Sequence, residues 1–207
     1  MGIHQDQASA PRIIGTAGGG LDDASWAANA EVARFGQRGE QQSAEILNAL
    51  GRRRNGPTIM HDLAIPISGI TANIDHVVVS GRRVLLIDSK FWKPGRYWTL
   101  GGRTRRGWAR FDHAASKAPQ MGMDSIAKLL ARKGIQATVC TPLIAVWPSA
   151  KASQVGVRML RYPGADVAEA RKLKSAVRRR VGLRTADPAI VAALVPLVGA
   201  LDRRAGR

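Results

Sequence analysis

The sequence predicts an α/β fold in which helices pack on the faces of a mixed β-sheet. Three observations carry this. Residues 73–92, NIDHVVVSGRRVLLIDSKFW, set two β-branched and aliphatic runs around a Gly-Arg turn, a strong hairpin signal. Segments of helical period lie before and after that hairpin. An apolar run at 135–147, IQATVCTPLIAVW, then returns as a buried strand. The resulting order of helix, three strands, helix, strand and helix suits a sheet covered by helices.

Taken along the chain, residues 1–24 read as a flexible tail, Gly-containing and without periodicity. The GTAGGG at 15–20 is no phosphate loop, because no Lys-Ser/Thr follows it and no strand precedes it. Trp26 to Leu50 reads as a helix, broken around Gly36 and Gly39. TIMHDLAIP (58–66) is the first strand, ended by Pro66, and the hairpin supplies the next two. RYWTLGGRTRRGWARF (96–111) has a Gly-Gly turn between aromatic runs and reads as a second, smaller hairpin. Pro119 suits the first turn of a helix that Gly134 ends. GVRML (156–160) is a short strand. Asp166 followed by Glu169 resembles a capping box, so a helix is expected from there through the basic run RRRVG. A short apolar helix follows Asp187-Pro188. The expected division is a tail (1–24), a principal domain (25–165) and a basic C-terminal helical extension (166–207).

The chain has 207 residues, and its 32 Lys and Arg against 15 Asp and Glu give a net charge of +17. That excess favours a polyanionic partner, nucleic acid first. A membrane surface is disfavoured, since no segment joins basic residues to a stripe of Trp, Phe and Leu. The single cysteine, Cys140, forms no internal disulfide and lies in an apolar strand, and the scattered histidines argue against structural zinc. The N-terminus does not read as a secretory signal. The most apolar stretch, AIVAALVPLVGAL (189–201), is too short to span a bilayer and contains Pro196. A soluble cytoplasmic protein is expected.

Within the hairpin, three ionisable residues interrupt strands that otherwise read as buried. Pairing Ser80 with Arg83 across the turn sets Asp75 opposite Asp88, with Lys90 on the face of Asp88 and Asn73 opposite Lys90. Facing carboxylates repel one another. A hard divalent cation such as Mg²⁺ or Mn²⁺ would offset that repulsion, and so would Lys90 acting as a simple counter-ion. Glu40 begins the inward stripe Glu40, Ala44, Leu47 of the first helix, either as a third acid at the site or as a first-turn partner of the helix dipole. Gln120 shares the apolar face of its own helix with Met123, Ala127 and Leu130. His76 alternates to the opposite face from Asp75, and His61 and His113 have no companion at ligand spacing.

GQRGE on the first helix, NIDHVVVS, IDSKFW and a later helix opening APQ together resemble the nuclease-related domain. That family is considered part of the PD-(D/E)XK, restriction-endonuclease-like superfamily. The resemblance runs from about Gly36 to about Leu160. It implies a restriction-endonuclease-like core, a mixed sheet of about four strands flanked by helices, and a Mg²⁺- or Mn²⁺-dependent phosphodiesterase site. By the same resemblance Asp75 matches the first acid, Asp88 and Lys90 the D-x-K element, Glu40 the helical glutamate and Gln120 a helical glutamine. The expected metal ligands are Asp75, Asp88 and Glu40, with the carbonyl of Ser89 adding an oxygen. Lys90 would position or help deprotonate the attacking water, and Gln120 would orient that water or a phosphate.

The basic runs would track backbone phosphates if they surround the acids: Arg52, Arg53 and Arg54 in one loop, Arg103, Arg105 and Arg106 in another, and Lys172, Lys174 and Arg178 to Arg180 beyond. Trp92, Trp98 and Trp108 alternate with arginines, and either pack the small hairpin or stack on unpaired bases. The leading expectation is a nuclease of low sequence specificity, acting on DNA in preference to RNA and capable of working as a homodimer. The alternatives are a nucleic-acid-binding module of the same fold that does not cut, and an interaction protein that docks an acidic partner or membrane.

Overall fold

The structure is a computed structural model that describes residues 12–18, 30–67, 72–112, 118–150 and 153–200, with side chains in the first helix from residue 36 onward. His113, Trp26 and most of the expected N-terminal tail lie outside the described residues. Strand β1 (Ile13–Ile14) is followed by α1 (Ala30–Gly51), β2 (Thr58–Ala64) and the hairpin β3 (Asn73–Ser80) and β4 (Arg83–Trp92). Then come β5 (Gly95–Leu100), β6 (Arg103–Arg106), β7 (Ala109–Arg110) and α2 (Ala118–Arg132). The chain continues with β8 (Thr138–Val139), β9 (Leu143–Pro148), β10 (Val155–Met159), β11 (Asp166–Glu169), α3 (Leu173–Val181) and α4 (Pro188–Leu194).

The main sheet has seven strands in the order β1-β2-β3-β4-β9-β11, with β8 also pairing β4. The β2–β3 and β3–β4 ladders are antiparallel, while β9 joins β4 in parallel and β11 joins β9 in parallel. The sheet is therefore mixed, as expected, and wider than four strands because β1, β8 and β11 extend it. A second sheet of four strands, β10-β5-β6-β7, contains the expected small hairpin.

Alternation along β3 and β4 divides the core in two. Val77, Val79, Val84 and Leu86 face α2 and α4, where they meet Ile126, Leu130 and Ile190. Val78, Leu85 and Ile87 face α1 and α3, where they meet Leu47, Leu50, Leu173 and Val177. A third cluster joins Trp92, Tyr97, Val146 and Val157 under the small sheet.

Two expectations are corrected. The first helix is continuous through Gly36 and Gly39. Gly39 serves close approach: a Cβ there would come within 3.1 Å of the Phe91 ring. Asp166 to Glu169 form a strand, not a capped helix start, because the free edge of β9 takes up their backbone, and α3 begins only at Leu173. The segment expected as a C-terminal extension thus completes the sheet and fills both halves of the core. No helix among the described residues is long and apolar enough to cross a membrane.

Candidate active site

The hairpin has the expected register, from Ser80↔Arg83 to His76↔Ile87, and its ladder stops one place short of Asp75 and Asp88. There the Ser89 amide donates to Asp75 Oδ2 at 2.6 Å, so a carboxylate takes the bond that a main-chain acceptor would take inside a ladder. The other edge of β3 is interrupted at the same level. Its pairing with β2 passes from His61↔His76 to Leu63↔Ile74, and Asp62 between them has a φ of 55°. A left-handed backbone is uncommon away from glycine and lifts Asp62 out of the ladder. Its carboxylate accepts a hydrogen bond from Asn73, next but one to Asp75. Beside Asp75 the sheet is therefore opened on both sides.

Four further charges are felt around that opening. Lys90 Nζ lies 2.9 Å from both carboxylate oxygens of Asp88. It donates to Oδ1, and Oδ2 is buried without a hydrogen bond of its own. Burial pushes Glu40 up to about 7, helped by the charges of Asp88 and Asp62. Burial also holds Asp75 well above the usual carboxylate range, with Asp88 and Glu40 adding to the effect. For Lys90, burial acts downward, but the charges of Asp88 and Asp75 and the bond to Asp88 outweigh it, so the ammonium is held above its ordinary range. A proton or a cation is thus favoured at Glu40 and Asp75.

As a donor set these residues fit a hard divalent ion: all are carboxylate oxygens, their repulsion calls for a cation, and Asp88 Oδ2 is a buried acceptor without a hydrogen bond. Among the described residues no three such side chains converge closely enough to hold one ion. Asp88 is instead turned to Lys90 and Asp75 to the Ser89 amide.

Behind the acids, on the face toward α1, runs a buried polar chain. His61 and His76 face each other across β2 and β3 with their Nδ1 atoms 2.8 Å apart. Asn48 Oδ1 lies 2.9 Å from His61 Nε2. Ser89 Oγ lies 3.3 Å from His76 Nε2 and donates to Ser43 Oγ at 2.8 Å, while the Trp147 indole also donates to Ser43. Burial lowers His61 to about 4 and His76 well below its ordinary value, so both imidazoles are neutral at pH 7. With its Nε2 proton directed at Asn48, His61 accepts from His76 through Nδ1. Ser89 is thereby fixed through its hydroxyl on one side of β4 while its amide fixes Asp75.

A family model described as the nuclease-related domain matches residues 35–145, more than half of the chain. The chain belongs to the nuclease-related domain family. No curated protein and no solved structure matches it. The matched segment contains Glu40, Asp75, Asp88 and Lys90, so the nuclease-related domain carries the whole acidic cluster.

The remaining expected site residues are placed less uniformly. Gln120 lies in the first turn of α2, where its amide donates to Asp124 at 3.1 Å and its side chain abuts Gly164. The same turn of chain contains Tyr162, close enough to Lys90 for its phenol to favour the ammonium. Arg52, Arg53 and Arg54 follow the C-terminal end of α1 and precede Thr58, which pairs with Val79 beside the hairpin turn. They stand at the end of the sheet away from the acids, beyond the roughly 13 Å of strand between Val79 and Asp75. Arg103 and Arg105 lie on β6 opposite Leu100 and Trp98. Arg106 pairs with the buried Tyr97 and so alternates to the inner side, away from their surface.

Asp62, Ser43 and Asn48 were not singled out in the sequence. The available signal for Asp62 was the one that marked Asp75: an acid interrupting an apolar strand.

Proposed function

We propose that this nuclease-related domain hydrolyses phosphodiester bonds of nucleic acid at the cluster of Glu40, Asp75, Asp88 and Lys90, with Mg²⁺ or Mn²⁺, on a restriction-endonuclease-like core. The observation that carries the reading is the opening of the sheet at Asp75, where buried acids raise one another's pKa beside a charged lysine. Asp75, Asp88 and Glu40 would hold the ion once Asp88 turns from Lys90 and the three draw together, with Asp62 as a fourth acid near Glu40 and the Ser89 carbonyl as an added oxygen. When bound, such an ion supplies an acidified water and neutralises charge on the phosphoryl group.

The chain's own residues do the rest. Lys90 brings a permanent positive charge to the phosphoryl oxygens and a donor that orients the attacking water. The Ser89 amide fixes one carboxylate oxygen of Asp75. Tyr162 lies near Lys90, and Gln120, packed against Gly164 of the same turn, would orient the attacking water or a phosphate.

Supercoiled plasmid and a single-stranded RNA, incubated with Mn²⁺ and then with EDTA, test this. Wild type should cut at least one of them, EDTA should abolish cutting, and Lys90→Ala should lower the rate about 100-fold or more. The second reading, a binding module that does not cut, is favoured by the Lys90–Asp88 ion pair, which already offsets one acid without any ion. Unchanged binding by Lys90→Ala, with no cutting by wild type in any metal, would establish it.

A further inference from the structure

The small sheet has two unlike faces. Its inner face is core: Tyr97, Val155 and Val157 pack on Trp92, which is 8% exposed. Trp92 is therefore a packing residue, as one of the two sequence readings had it. The outer face is different. Of the six large hydrophobic side chains exposed among the described residues, three are here: Trp108 at 90%, Leu100 at 73% and Met159 at 70%. Trp98 lies between them on β5, paired with Arg105 on one side and Met159 on the other.

Trp98, Trp108 and Met159 line a groove of about 720 Å³ with Arg96 and Arg158, and no acid lines it. The aromatic groups are held in place. The Trp98 indole donates to the Gly107 carbonyl at 2.8 Å, and Arg105 donates to the Trp108 carbonyl at 2.9 Å. The Arg105 guanidinium lies 5.9 Å from the Trp98 ring centre. Such rings, left in water and framed by guanidinium groups, suit a ligand that is both flat and anionic.

We propose that the outer face of the small sheet is a docking platform for single-stranded nucleic acid, with bases stacking on Trp108 and Trp98 and phosphates meeting Arg96, Arg105 and Arg158. Unpaired bases offer π-faces that a duplex keeps stacked, and arginines follow the backbone. The platform is joined to the acids by one strand: β4 carries Asp88 and Lys90, and only Lys93 and Pro94 separate its end from β5. This deepens the nuclease reading and rests on it for its purpose, naming an unpaired strand as the segment engaged beside the cut. The face also joins exposed Trp and Leu to arginines, a combination not evident in the linear sequence, so an anionic membrane is the competing occupant.

The test is binding in EDTA, where no cutting occurs. Fluorescence anisotropy is read with labelled dT₂₀, with a blunt 20-base-pair duplex, and with vesicles containing phosphatidylglycerol. Wild type should bind dT₂₀, and Trp108→Ala should weaken that binding about 10-fold while leaving duplex binding and the melting temperature unchanged. Arg158→Ala should weaken it as well, and more so at low salt. Wild-type dT₂₀ affinity in Trp108→Ala overturns the platform, and so does Trp108-dependent binding to vesicles without binding to dT₂₀. If Trp108→Ala loses dT₂₀ while wild type cuts nothing in Mg²⁺ or Mn²⁺, the platform stands and the nuclease reading alone fails.

Discussion

Glu40 shows how a single carboxylate is held out of balance for the sake of a site. Its pKa is pushed up to about 7, mainly by burial and then by Asp88 and Asp62. Because the folded value lies above that of the unfolded chain, the side chain's contribution to stability is complete below about pH 4.5 and is lost as the pH rises through about 7. Above that pH an ionised Glu40 opposes folding. Glu40→Gln should therefore raise stability at pH 8 in EDTA by about 2 kcal/mol and have little effect at pH 4.5, measured by urea unfolding at both pH values. A variant less stable at pH 8 would show that the acid is not under repulsion. Under the proposed function the same change should also slow cutting.

At the scale of elements, the strand carrying Ser89 is what aligns the acids, and Ser43 on α1 holds it from behind. Ser43 Oγ accepts from both Ser89 and the Trp147 indole, each at 2.8 Å. Ser43→Ala should cost about 2–3 kcal/mol in urea unfolding, since two buried donors lose their acceptor together. A loss below about 0.5 kcal/mol would mean that the hydroxyl does not hold the strand. The hairpin that presents these residues was legible in the sequence because a Gly-Arg turn and strict alternation fix its pairing from Ser80↔Arg83 onward. The interruption on its other edge was not, since the β2–β3 register depends on a connection without a turn signature, and Asp62 leaves the ladder through its own backbone. Nor was β11, where a capping-box spacing at Asp166 and Glu169 competes with an open parallel edge and the edge prevails. Glu169 then pairs with Arg171 and Lys172 in place of capping a helix.

Over the whole molecule, the positive charge has two addresses. Arg96 and Arg158 line the groove of the outer platform, and Arg105 lies beside Trp98 on the same face. Arg52 to Arg54 gather at the hairpin-turn end, where Arg12 bonds the Arg53 carbonyl and Arg83 bonds the Arg180 carbonyl of α3. Sequence runs alone could not separate these groups, because their positions depend on how the strands are ordered. The same global packing means that the family segment does not contain the whole folded body. Residue 145 falls inside β9, and Leu173, Val177, Ile190 and Leu194 beyond it are fully buried in the two halves of the core. A chain ending at residue 145 should show no cooperative thermal transition by circular dichroism, whereas one ending at 200 should melt like the full chain. A sharp transition in the shorter chain would show that α3 and α4 are dispensable.

The kink at Asp62 also receives the last described turn of the chain. Val198 bridges to Leu63, and the Gly199 amide donates to the Asp62 carbonyl at 2.9 Å. The last described residues of the chain are thereby pinned to the rim of the acidic opening, so the two ends of the folding segment close on one another across it.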